Sequence, residues 1–578
     1  MEMILRVLTS VLSFAIALAA SADPPRMIAE SLELEKPALF PDGTLAAFSL
    51  QTLGGVQTMV VRFSCDDGQR WTPVEPAFTL PREAGTFGYW VVVVDRAGEA
   101  HFFFLNDPST GSSGSETGVA RPGKKESLNI WHASWRRGQG AGQAPRQIWE
   151  GRGGDLQSAI QLRSGRLLLP ISYRVRRSWR ERDEGFAAYI YPGQFNATAL
   201  YSDDSGKTWH QSPSVLKVPA PDLTTILGAV EPVVLQLKDG RVWMLIRTQN
   251  GRFYESYSKD DGKTWSLPKP TSLISSDSPA GLVRLPDGRI MLLVNRCLRY
   301  AYAYGGRHVL HAAVSSDEGK TWTGFREVVR DPLRSQIPPT GGDFGVSYPF
   351  TSLDSKGRVV FGLGVRTGTR SQHPERQPGD DAATPRWMVV VDPAWLYETR
   401  QRTDFSKGLD DWSIFGVRGV SLTSHPSKPD LKVLGLKKPE PEWPSGAVWN
   451  FPMGTRGRLV LKLMVKRGFS GALLGLTDHF SPPFDAEDEF FNMFNLVLGP
   501  EGTVLGEDRL KSDVWHTLAL NWDVEKQRSE VILDGRSLTS LRLLREGPGV
   551  CYLRIRSTAY DTDQGGLLIE SVEVEVDR

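Results

Sequence analysis

Apolar and polar positions along this chain alternate in short runs, each broken after a few residues by Gly, Asp or Pro. Nowhere does an apolar stripe hold a 3.6-residue period for long. A two-residue period between turn residues is the pattern of half-buried β-strands. Six times an apolar run, a glycine-containing turn and a second apolar run follow one another: PALFPDGTLAAF (Gly43), VVVVDRAGEAHFFF (Gly98), SAIQLRSGRLLLPI (Gly165), VVLQLKDGRVWMLI (Gly240), AGLVRLPDGRIMLLV (Gly288) and FTSLDSKGRVVFGL (Gly357). Each reads as a β-hairpin, with a type I′-like Asp-Gly turn expected at Lys238-Asp239-Gly240. Recurrence at roughly 50 to 75 residues is the signature of repeated sheet units, here six.

The stretch 231–265 shows a whole unit: three strands and a closing octad, SKDDGKTW. That octad recurs as SCDDGQRW at 64–71, SDDSGKTW at 202–209 and SSDEGKTW at 315–322. Its chemistry predicts a self-contained turn in which Asp accepts from local N–H groups, Gly takes a positive φ and Trp packs back onto the sheet. The form S-x-D-x-G-x-T-W is similar to the Asp box, and the repeats resemble those of sialidases and other Asp-box β-propellers. The resemblance implies a six-bladed β-propeller over 28–398, its last blade completed by an N-terminal strand near Ala29 to Leu34.

Beyond Tyr397 the boxes stop. Alternating runs such as RLVLKLMVKRG, and WHTLALNWDVEKQRSEVILDG with its Asp534-Gly535 turn, fill 403–578. They resemble a laminin-G or concanavalin-like (jelly-roll) β-sandwich. The expected fold class is therefore all-β, a six-bladed propeller followed by a sandwich. That second unit is read either as a carbohydrate binder or as a packing module.

Composition narrows the function. With 578 residues, more than one core is needed. The 68 basic and 67 acidic residues nearly cancel, which argues against a general nucleic-acid or anionic-membrane binder. Residues 1–22, apolar with one Arg and ending in Ala-Ser-Ala, read as a secretory leader. The mature chain is then expected to be secreted or periplasmic, with no integral membrane segment. Cys65, Cys297 and Cys551 are too few and too dispersed for a disulfide framework or a zinc motif, and are read as packed free thiols. His132, His308 and His311 lack a spacing for joint ligation; no metal and no cofactor are expected. The Gly/Ser-rich run DPSTGSSGSETG is read as a surface loop and SYRVRRSWRERDEGF as an excursion over the binding face or into solvent.

In a propeller, the first strand of each blade starts at the central funnel, so polar residues there converge. Candidates are Glu35 and Lys36, Asp155 and Gln157, Glu231, Asp277, and Asp343 with Tyr348; Arg247 ends a neighbouring strand and Arg307 precedes another. In sialidases an arginine cluster grips the substrate carboxylate, a tyrosine attacks, a glutamate polarises it and an aspartate is the acid/base. By that resemblance Tyr348 is the nucleophile, Glu231 its partner, and Arg247 and Arg307 the carboxylate grip. Two positions depart from the pattern. Glu35-Lys36 stands where the family has its first arginine, and Thr58 where it has the catalytic aspartate. Lys36 is read as a substitute point charge, and Asp277 or Glu35 as a proton source, with Asp277 otherwise capping a turn. The implied activity is exo-hydrolysis of a terminal acidic sugar from a glycan or polysaccharide. Two other classes stay open: a propeller polysaccharide lyase acting on uronates, and a non-catalytic glycan binder.

Overall fold

The structure is a computed structural model that describes residues 22–31, 34–108, 127–175, 194–219, 227–298, 306–336, 344–367, 386–415, 418–505 and 508–577. The leader, Asp343 and most of the Gly/Ser-rich run and of the basic excursion lie outside these residues. Among the described residues the fold is built from antiparallel β-sheets. Six successive sheets carry the six predicted hairpins, five of four strands and one, the second, of five.

Within a sheet, consecutive strands are neighbours, from an innermost strand outward, except that in the second both Gly140–Ala141 and Arg146–Trp149 pair with Asn129–Arg136. The sixth differs again, because strand Arg26–Glu30 from the chain start pairs with Arg386–Val391 at its outer edge. This is the expected completion of the last unit, placed slightly earlier than Ala29 to Leu34. It covers an edge that would otherwise expose unpaired backbone groups.

Apolar faces pack each sheet on the next. Phe48 of the first meets Trp90 and Phe102 of the second; Phe103 meets Leu169 and Ile171 of the third. Leu168 joins Val234 and Met244, then Leu245 joins Leu292 and Val309. Leu310 packs with Val346 and Phe361 of the sixth, and Ala47 of the first packs with Val360 and Met388. The order of sheets is thus cyclic, the blade arrangement of a six-bladed propeller.

The octads form the predicted turns. In 258–265, Ser258 Oγ donates to Asp260 Oδ1 at 2.7 Å and accepts from Gly262 N at 2.8 Å. Asp260 accepts from Thr264 N at 2.8 Å, and Trp265 Nε1 donates to the Gly262 carbonyl at 3.1 Å. Two residues, not one, are left-handed in each: Asp67, Ser205, Asp261 and Glu318, immediately before the glycines, have φ of 56–63°. The first of these also reaches across a blade boundary, Asp67 Oδ1 accepting from Ser355 N of the sixth sheet at 3.0 Å. At Lys238-Asp239-Gly240 the expected type I′ geometry is not found. Only Gly240 has positive φ, so the turn is a type I turn closed by a left-handed glycine, the form that three-residue hairpin loops take.

Two further sheets, of eight and five strands, face one another over a core containing Trp412, Trp449, Leu461, Leu520 and Ile555. Their first strand is Arg400–Thr403, paired with Leu567–Val576, so the sandwich sheet starts just ahead of 403. This unit is joined to the propeller through a buried polar seam. Asn450 Oδ1 accepts from Glu327 N at 2.9 Å while its Nδ2 donates to the carbonyls of Phe325 and Cys551; Tyr552 Oη donates to Glu327 Oε1 at 2.7 Å and contacts His311 Nε2 at 2.5 Å. Cys297 and Cys551 are buried as expected, whereas Cys65, in the first octad turn, is exposed.

Candidate functional site

Inner strands of sheets four and six, Val230–Gln236 and Phe344–Leu353, share an unusual feature. Each carries an extra residue opposite its partner strand, between Val230 and Val233 and between Ser347 and Phe350. The bulged residues are Glu231 and Tyr348, with φ of 43° and 60°. Left-handed φ is costly for a side chain with Cβ, roughly 1–3 kcal/mol, and is kept where the surroundings over-determine it. A bulge re-aims one side chain off the alternation of its strand. Pro232 and Pro349 occupy the second bulge positions, where the missing N–H costs no ladder bond. Strand Thr86–Val94 of the second sheet has the same bulge at Tyr89, φ 44°, whose side chain is 48% exposed.

The two bulges bring Glu231 and Tyr348 together. Tyr348 Oη donates to Glu231 Oε1 at 3.2 Å and accepts from Arg247 Nη1 at 2.9 Å; the same Nη1 donates to Glu231 Oε2 at 2.5 Å. Arg247 ends strand Val242–Arg247, opposite Val230, and its Nε donates to Asp277 Oδ1 at 2.6 Å. Asp277 Oδ2 accepts from Gln249 Nε2 at 3.0 Å, and the Asp277 carbonyl accepts from Arg307 Nη2 at 2.7 Å. The Arg307 guanidinium lies 5.3 Å from the Tyr348 ring centroid. Four residues chosen from the sequence, Glu231, Arg247, Arg307 and Tyr348, therefore form one buried cluster.

Asp277 belongs to it in a different place from the one expected. Its side chain is fully buried and both oxygens are engaged, so it braces Arg247 instead of facing an open cleft or capping a turn. Two guanidiniums here meet two carboxylates, so the described centre is charge-balanced.

Burial sets the proton affinities. It pushes the Tyr348 phenol well above its ordinary value, against the pull of Arg247, so this hydroxyl is neutral at rest. It also raises Glu231, against the same arginine, which makes that carboxylate a stronger proton acceptor. For Arg247 burial acts in the other direction but is outweighed by Asp277 and Glu231, which hold the guanidinium charged.

Lys36 flanks the cluster. Its ammonium donates to the Trp90 carbonyl, lies 4.3 and 3.8 Å from the ring centroids of Trp90 and Phe350, and is 3.8 Å from Glu35. Burial lowers its pKa to about 7, against the attraction of Glu35. Asp155, half-buried, is close enough to act electrostatically on both Lys36 and Tyr348. Glu35 is held between Lys36 and Arg386. Gln157 donates to the Pro349 carbonyl at 3.2 Å, tying the third sheet to the bulge of the sixth. Thr58 is buried on Val56–Ser64 with its hydroxyl on the Val56 carbonyl, a position with no acid/base capacity. Sequence reasoning missed the bulges and Tyr89. Its available signal was a Pro inside a buried inner strand, at Glu231-Pro232 and Tyr348-Pro349.

With that geometry in place, comparison with known proteins is informative. Residues 135–361 match the model of the BNR repeat-like domain. Over that stretch the chain is similar to BNR repeat-like domains, and part of it is similar to a sialidase. A sialidase of Micromonospora viridifaciens is 25% identical over 317 residues, 49% of this chain and 44% of that protein, so the chain spans less than half the length of this relative. Among solved structures, Trypanosoma rangeli sialidase aligns over 95% of this chain and 92% of its own at 14% identity, with a TM-score of 0.41. A protein of unknown function from Dyadobacter fermentans aligns over 64% of this chain and all of its own at 17% identity, TM-score 0.43. No helix among the described residues is long and apolar enough to cross a membrane.

Proposed function

We propose that this protein is a sialidase-type glycoside hydrolase that releases a terminal acidic sugar from glycans outside the cytoplasm, with Tyr348 as nucleophile. The observation that carries the reading is the three-way contact of the Tyr348 hydroxyl with Glu231 and Arg247. A neutral phenol is a weak nucleophile, and it gains reactivity when a carboxylate in hydrogen-bond reach takes its proton as the bond forms. Glu231 stands at that distance and burial has made it more basic. Tyr348 would attack the anomeric carbon and expel the aglycone oxygen, forming a glycosyl–tyrosine ether. Water would then cleave this intermediate with return of the proton to Tyr348, giving net retention. Tyrosine nucleophiles are the recognised exception to the two-carboxylate rule of glycosidases.

Arg307 beside the Tyr348 ring and Lys36 on its flank supply the positive charge for the substrate carboxylate, while Arg247 is already committed to Glu231 and Asp277. The proton for the leaving oxygen is assigned to Asp155, the carboxylate whose field reaches both Tyr348 and Lys36. An attacking group that is uncharged until proton transfer also avoids repulsion by the substrate's own carboxylate.

The test is a panel of fluorogenic glycosides, sialic acid and hexuronic acids included, with Tyr348→Phe alongside the native chain. Release of a saturated sugar by the native chain, lowered at least 10³-fold in Tyr348→Phe with binding retained, supports the proposal. Full activity in that variant removes Tyr348 from the mechanism, and an unsaturated product identifies a lyase instead.

A further inference from the structure

At the far end of the second sheet a second cluster of polar groups is buried. Strand Thr86–Val94 runs from the bulge at Tyr89 to a turn that starts at Asp95, about 20 Å along an extended strand. Asp95 Oδ1 caps this turn, accepting from Ala97 N at 2.9 Å and Glu99 N at 2.8 Å, which leaves Oδ2 for other partners. Glu99 and His101 then project from one face of the next strand, Glu99–Asp107, two residues apart. Their ligand atoms and that of Asp95 all lie within 4.8 Å of one another.

The second observation is the histidine. His101 is fully buried, and its Nε2 has no hydrogen-bond partner. It lies 3.6 Å from Asp95 Oδ2, too long for a hydrogen bond. Its Nδ1 contacts His132 Nε2 at 3.1 Å. If Nδ1 carries the proton and donates to His132, the Nε2 lone pair faces the carboxylates. A buried imidazole fixed through its far nitrogen, with carboxylate oxygens in front of the near one, is the arrangement in which histidine binds a metal.

We propose that Asp95, Glu99 and His101 form a structural site for a divalent cation, Zn²⁺ by the chemistry of the set. Imidazole nitrogen with two carboxylates suits zinc better than the all-oxygen cations. Bond lengths agree: two ligands each about 2.1 Å from a tetrahedral ion stand about 3.4 Å apart, close to the 3.6 Å between His101 Nε2 and Asp95 Oδ2. Glu99 completes the set from the rim. Its oxygens also accept from Ser134 Oγ and from Arg136 Nη2, the latter at 3.1 Å, and each retains a lone pair. Water takes the fourth position. His132 is the positioning residue, holding the His101 ring with Nε2 turned to the ion. Bound there, the ion would tie the turn at Asp95 to the strand Glu99–Asp107. The site is remote from Tyr348, so its outcome is independent of the hydrolase reading.

The experiment uses the full chain without an affinity tag, stripped with a chelator and dialysed against micromolar ZnCl₂. Metal analysis is expected to return one Zn²⁺ per chain, and anomalous diffraction at the zinc edge to place it between Asp95, Glu99 and His101. His101→Gln should weaken binding at least tenfold in a competition with a chromogenic chelator. Glu99→Gln, a milder change at the rim, should weaken it as well and guards against a His101 variant that does not fold. No uptake by the native chain, an anomalous peak elsewhere, or undiminished affinity in a folded variant overturns the proposal.

Discussion

Asp277→Asn changes almost no volume and removes one charge from the centre of the cluster. In the native chain its Oδ1 accepts from Arg247 Nε at 2.6 Å and its Oδ2 from Gln249 Nε2 at 3.0 Å, with the side chain fully buried. Asparagine offers one acceptor oxygen, so its amide NH₂ must face a donor on one side or the other. The loss is one charge-assisted hydrogen bond, about 1.5–3 kcal/mol, plus a donor–donor contact. Complete loss of the partner of a buried arginine costs about 3–5 kcal/mol, but Glu231 still compensates Arg247 at 2.5 Å. The expected destabilisation is therefore about 2–3 kcal/mol, read as a shift of the urea midpoint at unchanged slope. Catalysis should suffer too. Arg247 hangs between Asp277 and Glu231, and without the first it moves toward the second, drawing Glu231 away from the Tyr348 proton. A loss of about 10–100-fold in kcat at nearly constant KM is expected, since the substrate does not touch Asp277. Native stability together with native kcat in Asp277→Asn would refute the argument that Asp277 sets the position of Arg247.

Further predictions concern the flank, the seam and the boxes. Lys36, lowered to about 7 by burial, loses its charge as pH rises through 7, so kcat/KM for an anionic sugar should fall above that pH. Lys36→Met should abolish the inflection in the pH–rate profile. Because the folded pKa lies below the unfolded 10.5, the buried ammonium opposes folding fully below pH 7, and that opposition is relieved between 7 and 10.5; Lys36→Met should stabilise more at pH 6 than at pH 10 in denaturant titrations. Asn450→Ala leaves buried main-chain groups of Glu327, Phe325 and Cys551 without their partner and should cost about 2–4 kcal/mol, with the two units separating into two transitions by calorimetry. Asp260→Ala removes the acceptor of Ser258 Oγ and Thr264 N within one octad and should cost about 1–2 kcal/mol by thermal melting, without altering KM.

What could be read from the sequence was whatever is encoded locally. The octads announce their turns because Ser, Asp, Gly and Trp complete every bond within eight residues, and the hairpin glycines sit where a left-handed residue is needed. Glu231, Arg247, Arg307 and Tyr348 could be chosen because strand starts and ends in a propeller converge by topology. Long-range relations were not legible. Nothing near Asp277 in SSDSPAG says that its carboxylate meets an arginine thirty residues earlier, and so it was expected to serve as a cap or a proton source. The seam through Asn450, Tyr552 and His311 joins positions more than a hundred residues apart, and no periodicity marks it. The buried lone pair of His101 was equally hidden, because its neighbours in space, Asp95 and His132, come from a turn and from another strand.

Backbone geometry explains why the cluster depends on the sheets and not on its own attraction. Glu231 and Tyr348 would each alternate with their strand neighbours if the strands were regular, and each would then point along the face that packs against the next sheet. The extra residue breaks that alternation and turns both side chains off the packing face, at the cost of two left-handed φ values. Tyr89 shows the same bulge in the second sheet with a half-exposed side chain. The bulge therefore does not depend on burying its first side chain, since it also forms at Tyr89. It belongs to the inner strands, held by ladder pairing on either side, and the acid–base pair occupies a conformation that the scaffold already imposes. Rigid placement of this kind keeps the Tyr348 hydroxyl within reach of Glu231 without a search over rotamers, which is what preorganised proton transfer requires.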